Sequence, residues 1–258
     1  MTDHALLVPT SRGPVGAVVS EPDGVRRAAL ALLQGGGRGG RAGVNAVWTG
    51  VARRLSELGL VVLRVDYSLE GDSHLIGPER GRDRAPGWKG ELDLELLREV
   101  IPWFRARAGG LDLFLAGSCY GGRLAMRLAA EEPALAGSLL IVPYLRSPEG
   151  RSGWRARLRR VRSGGAPGPS DVGLDPKMVE VARRLLARAP GWALVGEKDA
   201  ADVESLKRVL GSDGASLEIE TVPDVALYPV HYPQVQDEVS RRLVQRLERA
   251  LTSSEALA

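Results

Sequence analysis

Short apolar runs alternate with longer stretches in which apolar positions recur every three or four residues, the pattern of a mostly parallel sheet flanked by helices. Eight runs read as strands: Ala5–Val8, Val15–Ser20, Ala28–Gln34, Val61–Asp66, Leu111–Ala116, Ser138–Val142, Trp192–Gly196 and Leu217–Val222. The turn-rich segment Thr10-Ser11-Arg12-Gly13-Pro14 predicts an antiparallel hairpin between the first two. Helices are predicted over Val47–Leu58, Glu91–Arg107, Tyr120–Glu131, Met178–Ala189 and Pro233–Leu251. In the second, Leu94, Leu97, Val100, Ile101 and Phe104 share a face, and Pro102 predicts a bend or the helix end. In the last, Val239, Leu243, Leu247, Ala250 and Leu251 form a face suited to core packing. The alternation lapses between Tyr144 and Pro176, where a basic run and then a Gly/Pro/Ser stretch predict an excursion inserted after the sixth strand.

The fifth strand runs into Gly117-Ser118-Cys119-Tyr120-Gly121-Gly122, and a helix begins at once. A sharp strand-to-helix turn strains its central residue and needs small residues two positions to either side. Gly117 and Gly121 stand there around Cys119, whereas Ser118 would be flanked by Ala116 and Tyr120. Cys119 is therefore the elbow residue. The helix N-terminus favours a thiolate, whereas an inert buried cysteine is the competing reading.

Acyl transfer at such a thiol needs a base, a group that orients it and donors for an oxyanion. Of the three histidines, His4, His74 and His231, only His231 follows Cys119, in Pro229-Val230-His231-Tyr232-Pro233. Asp199, just past the seventh strand, can accept the ring N–H and set the tautomer, with Asp202 the alternative; either can instead cap a helix near Ala201. For the oxyanion, the Tyr120 N–H is expected to combine with one from Gly35-Gly36-Gly37-Arg38-Gly39-Gly40, first Gly36 and then Gly37. This loop lacks the Gly-Lys-Ser/Thr of a phosphate cradle, which argues against nucleotide binding.

Composition narrows the field. Cys119 is the sole cysteine, excluding an internal disulfide and a cysteine-rich zinc site; with His4 and His74 isolated from other ligand types, no metal and no cofactor are expected. No stretch approaches the ~18 continuous apolar residues of a membrane helix, and Met1-Thr2-Asp3-His4 lacks the basic-then-apolar order of a secretion signal, so a cytoplasmic location is expected. Only four of the 35 basic residues are lysine, and an arginine excess of this kind is no argument for nucleic acid.

Taken together, the glycine-rich loop, the segment Leu60–Ser73, the elbow, Gly196-Glu197-Lys198-Asp199 and His231 resemble the α/β-hydrolase superfamily along essentially the whole chain. The cysteine at the elbow is similar to that of dienelactone hydrolases, and Gln34 stands where many members carry histidine. The resemblance implies an eight-stranded, mostly parallel sheet, a core of residues 1–143 and 177–258 with a cap at 144–176, and a triad of Cys119, Asp199 and His231.

The function expected first is cleavage of an ester, lactone or thioester through an acyl-cysteine. The alternative passes the acyl group to an alcohol, an amine or a carbanion. The basic cap, with Arg151, Arg155, Arg157, Arg159, Arg160 and Arg162 around Trp154, could dock an acidic carrier protein or coenzyme A phosphates; a solvated basic lid is the bland reading. Arg38, Trp154 and Arg155 are the substrate-side candidates. A non-catalytic binding protein on the same scaffold is the third possibility, and the oligomeric state is open.

Overall fold

The computed structural model describes residues 1–35, 40–43, 46–73, 76, 88–132, 134–141, 176–187, 189–199, 217–225 and 233–255. All eight expected strands form: β1 (Thr2–Val8), β2 (Val15–Glu21), β3 (Ala28–Leu33), β4 (Leu60–Val65), β5 (Leu113–Ser118), β6 (Leu135–Ile141), β7 (Gly191–Gly196) and β8 (Leu217–Val222). They make one sheet in the order β1-β2-β4-β3-β5-β6-β7-β8. β1 and β2 pair antiparallel, as do β2 and β4, and every later pairing is parallel. Each residue of β3, β4, β5 and β7 is buried. This is why these segments read as unbroken apolar runs: helices cover a parallel sheet on both faces, so neither set of alternating side chains meets water.

Among the described residues five α-helices flank the strands: α1 (Val47–Glu57), α2 (Trp88–Arg107), α3 (Cys119–Glu131), α4 (Pro176–Leu186) and α5 (Pro233–Glu255). On one face Val61, Leu63 and Leu115 pack with Leu97 and Phe104 of α2, Leu124 of α3 and Met178 of α4. On the other, Leu30, Leu32 and Val62 meet Val51 and Leu55 of α1 and Val239, Leu243 and Leu247 of α5. The apolar face expected on the closing helix is thus core.

Several boundaries move. α2 begins at Trp88, three residues before the expected Glu91, and runs through Pro102 to the expected Arg107. Pro102 is exposed, and so is Arg98, whose carbonyl loses its helical donor and can turn to water, while Ile101 and Phe104 keep the helix packed. β5 extends two residues further than the pattern indicates, through Ser118, and α3 takes Cys119 as its first residue. α4 and α5 both open on proline, which suits a first helical position because its missing N–H would have no intrahelical partner there. α4 begins at Pro176, at the end of the stretch assigned to the cap, and stops at Leu186; the rest of the cap, with Trp154 and Arg155, lies outside the described residues.

The connectivity creates a topological switch point. From β3 the chain passes through α1 on one face, whereas from β5 it passes through α3 on the other, yet β3 and β5 are sheet neighbours. Their loops therefore diverge at the carboxyl edge, the switch point where open α/β sheets bind ligands.

Candidate active site

Cys119 stands at that switch point. It immediately follows β5 and has φ +47°, a left-handed conformation that an L-residue with a side chain rarely adopts. The two glycines around it are steric necessities. A Cβ on Gly117 would collide with the Gly121 carbonyl and come within 2.7 Å of the Gly122 nitrogen. A Cβ on Gly121 would strike the carbonyl oxygens of Leu33 and Gln34, at the end of β3. Close contact between α3 and β3 forces the bend, and the bend leaves Cys119 half-buried while Ser118 is only 5 % exposed. The sulfur-bearing residue is thus not sealed in the apolar interior.

The glycine-rich loop starts against this elbow. Leu33 is in register with Gly117, and a Cβ on Gly35 would sit 3.2 Å from Ser118 Oγ and 3.6 Å from Cys119 Cβ. Gly36, Gly37 and Arg38 lie outside the described residues. Beyond them, Gly40 (φ +47°) and Arg41 return to the fold on Asp66, which is 2 % exposed. Asp66 accepts the Arg41 N–H at 2.8 Å, the Asp72 N–H at 3.0 Å and the Arg41 guanidinium. Both ends of the loop are anchored.

Beside the elbow and the end of β3 lies a buried polar cluster that the strand and helix pattern alone does not reveal. Asp93 of α2, 1 % exposed, accepts the Tyr120 hydroxyl at 2.6 Å and the Ser68 N–H and hydroxyl at 2.8 and 2.5 Å. Tyr67 donates its hydroxyl to the Gln34 carbonyl at 2.8 Å, and its ring meets that of Tyr120 edge-on at 5.5 Å. Gln34, 3 % exposed, donates from its amide to Glu70 at 3.2 Å. Burial first, then the neighbouring Asp93 carboxylate, pushes the Tyr120 hydroxyl up; burial, then Tyr120 and Asp93, does the same for Tyr67. Both phenols stay protonated and act as donors. A sequence signal for this cluster exists: Asp93 shares the α2 stripe with Leu97, Val100 and Phe104, and a carboxylate in an apolar stripe needs partners.

The same overall fold occurs in known structures at low sequence identity. A carboxyl esterase from Bacillus coagulans matches with a TM-score of 0.71 at 15 % identity, over 97 % of this chain and 99 % of its own. A dienelactone hydrolase from Anabaena variabilis matches at 0.66 and 17 %, over 95 % of each chain. The chain has the α/β-hydrolase fold. An α/β serine hydrolase homologue from Coxiella burnetii matches at 0.62 and 18 %, over 96 % of this chain and 98 % of its own. No protein-family model matches the sequence, and no curated protein does.

In this α/β-hydrolase fold, a single turn, Glu197–Asp199, follows β7 and so carries Asp199 at the same sheet edge as Cys119, with β6 between their strands. That turn is tied to the one after β8: the Lys198 N–H reaches the Val225 carbonyl at 2.9 Å, and the Asp224 N–H reaches Glu197 at 2.9 Å. The tied turn leads into the segment that carries His231; His231, Asp202 and His74 themselves lie outside the described residues. His4 is far from this edge, in the outermost strand β1. Among the described residues no cluster of metal-ligating side chains occurs, and no helix is long and apolar enough to cross a membrane.

Proposed function

We propose that this chain hydrolyses an ester, lactone or thioester through an acyl-Cys119 intermediate. The observation that carries the reading is the strained, half-buried Cys119 at the sheet's switch point, so near the start of the glycine loop that a Cβ on Gly35 would lie 3.6 Å from Cys119 Cβ. A strained non-glycine backbone persists where the surroundings over-determine it, and such places cluster at functional sites. The names of the carboxyl esterase and the dienelactone hydrolase with this fold agree with acyl chemistry.

In the proposed reaction His231, oriented by Asp199 or Asp202, takes the Cys119 proton as the sulfur attacks the carbonyl carbon. The carbonyl electron pair moves to oxygen, where N–H groups of Tyr120 and of Gly36 or Gly37 receive it. Collapse expels the alcohol or thiol, which leaves with the proton held by His231. Water, deprotonated by His231, then cleaves the acyl-sulfur bond and releases the acid. The basic segment 144–176, with Trp154 and Arg155, and the loop residue Arg38 are assigned to the substrate side; a carrier protein or coenzyme A ester as donor, with a non-water acceptor, is the second reading.

Intact-protein mass after mixing with a short acyl thioester tests this directly, because there is one cysteine to carry the adduct. The expected result is one acyl group on the wild type, none on Cys119→Ala, and a loss of kcat/KM in that variant of at least about 10³-fold. Full turnover by Cys119→Ala would reject the proposal. An adduct that persists in water and discharges onto an added alcohol or amine selects the transferase reading.

A further inference from the structure

We propose that Asp93 is a positioning residue for the oxyanion donor at Tyr120, holding it through the Tyr120 hydroxyl while the Ser68–Tyr67 pair ties the same carboxylate to the end of β3. This inference rests on the acyl-Cys119 reading. Tyr120 contributes its backbone N–H to the oxyanion, so the direction of that N–H depends on how the first turn of α3 is held. The Asp93 carboxylate fixes the far end of the Tyr120 side chain at 2.6 Å. Its other oxygen holds Ser68 through both backbone and hydroxyl, and the adjacent Tyr67 holds the Gln34 carbonyl at 2.8 Å, where the glycine loop starts. The edge-on Tyr67–Tyr120 contact at 5.5 Å closes the circuit.

Thus one buried carboxylate connects the residue after the nucleophile with the residue before the glycines. Three hydrogen bonds from two different segments converge on it, and its host helix is otherwise apolar along that face. An apolar side chain would fill the space without the desolvation cost of a carboxylate, so filling the space does not explain its presence. Holding Cys119 in a strained backbone does require outside restraint, and the hydroxyl bond of the adjacent Tyr120 supplies it.

The test compares two probes of the same sulfur in Tyr120→Phe, Asp93→Asn and Asp93→Ala. A peptide-free aliphatic aldehyde accepts the thiolate at its carbonyl carbon and places the resulting hemithioacetal oxygen in the oxyanion site. Iodoacetamide alkylates the thiolate, expels iodide and needs no oxyanion site. Losing an oxyanion donor outright costs about 10²–10³ in kcat, so misaligning one is expected to cost about tenfold in kcat and in aldehyde affinity for Tyr120→Phe. KM and the iodoacetamide rate are expected to stay within about twofold. Asp93→Ala is expected to lose more, and Asp93→Asn, which keeps an acceptor for Ser68, to recover part of that loss. Variants that melt earlier yet keep wild-type kcat and aldehyde affinity, or that lose alkylation and aldehyde binding in parallel, overturn the inference alone. An aldehyde that fails to bind the wild-type protein overturns the acyl-cysteine reading and this inference with it.

Discussion

Gly121→Ala adds one methyl group where α3 crosses the end of β3, and the atoms it meets are backbone. Besides the two carbonyl oxygens it would strike, it would lie 2.6 Å from the Leu33 carbonyl carbon, where ordinary contact begins at 3.4 Å. The start of α3 must therefore retreat by about 0.8 Å or more, because β3 is bonded on both sides, to β4 and β5, and cannot yield. Overpacking costs about 1–3 kcal/mol, and immovable carbonyls put this case at the upper end. For a chain of this size that is a fall in Tm of about 5–10 °C. A displacement of that order at the nucleophile is expected to lower turnover by about 10²-fold. Gly90→Ala is the matched control: it sits in α2 at ordinary φ, and among the described residues beyond its own helix its new methyl meets the Tyr120 hydroxyl oxygen at an ordinary 3.7 Å. It is expected to raise stability by about 0.5–1 kcal/mol, the usual gain of alanine over glycine within a helix. Thermal unfolding followed by circular dichroism, together with mass-detected alkylation of Cys119, gives both readouts. A Gly121→Ala protein that melts within about 2 °C of wild type and reacts at the wild-type rate would refute the steric argument, since a shift that small corresponds to under about 1 kcal/mol.

Two further outcomes follow from the same geometry. At φ +47°, Cys119 bears a left-handed penalty of about 1–2 kcal/mol that glycine escapes, so Cys119→Gly is expected to be at least as stable as Cys119→Ala despite the usual helical preference for alanine, as measured by urea unfolding. Hydrogen bonding to Arg98, which grips both carboxylate oxygens of Glu131 at 2.8 Å, holds the Glu131 pKa below its ordinary 4.5. A depressed folded value means the contribution is complete above about pH 4.5 and is lost as the pH falls through the lower folded value. Both side chains are 46 % exposed, so solvent screening limits the pair to about 0.2–1 kcal/mol, and the Tm gap between wild type and Glu131→Gln is expected to be about 1–3 °C at neutral pH and to close by about pH 3. A gap that persists unchanged at low pH refutes the linkage.

By itself, the order of residues determined the strand and helix sequence, the mostly parallel sheet and the elbow. Those features rest on local chemistry: continuous apolar runs for strands buried on both faces, three-to-four spacing for helices, and two glycines at the only distance from Cys119 that such a bend tolerates. Tertiary structure decided what those glycines are small for. Gly121 yields to Leu33 and Gln34, nearly ninety positions away, and no local pattern encodes that approach. It also decided that Pro102 could remain inside a helix, because the exposed side of α2 leaves a carbonyl to water while Ile101 and Phe104 hold the packed side. The cluster around Asp93 was visible in the sequence only as a carboxylate among apolar neighbours. Its partners Ser68 and Tyr120 come from segments that meet once β4 and β5 lie on either side of β3, and the choice of partners for a buried charge is made by that packing.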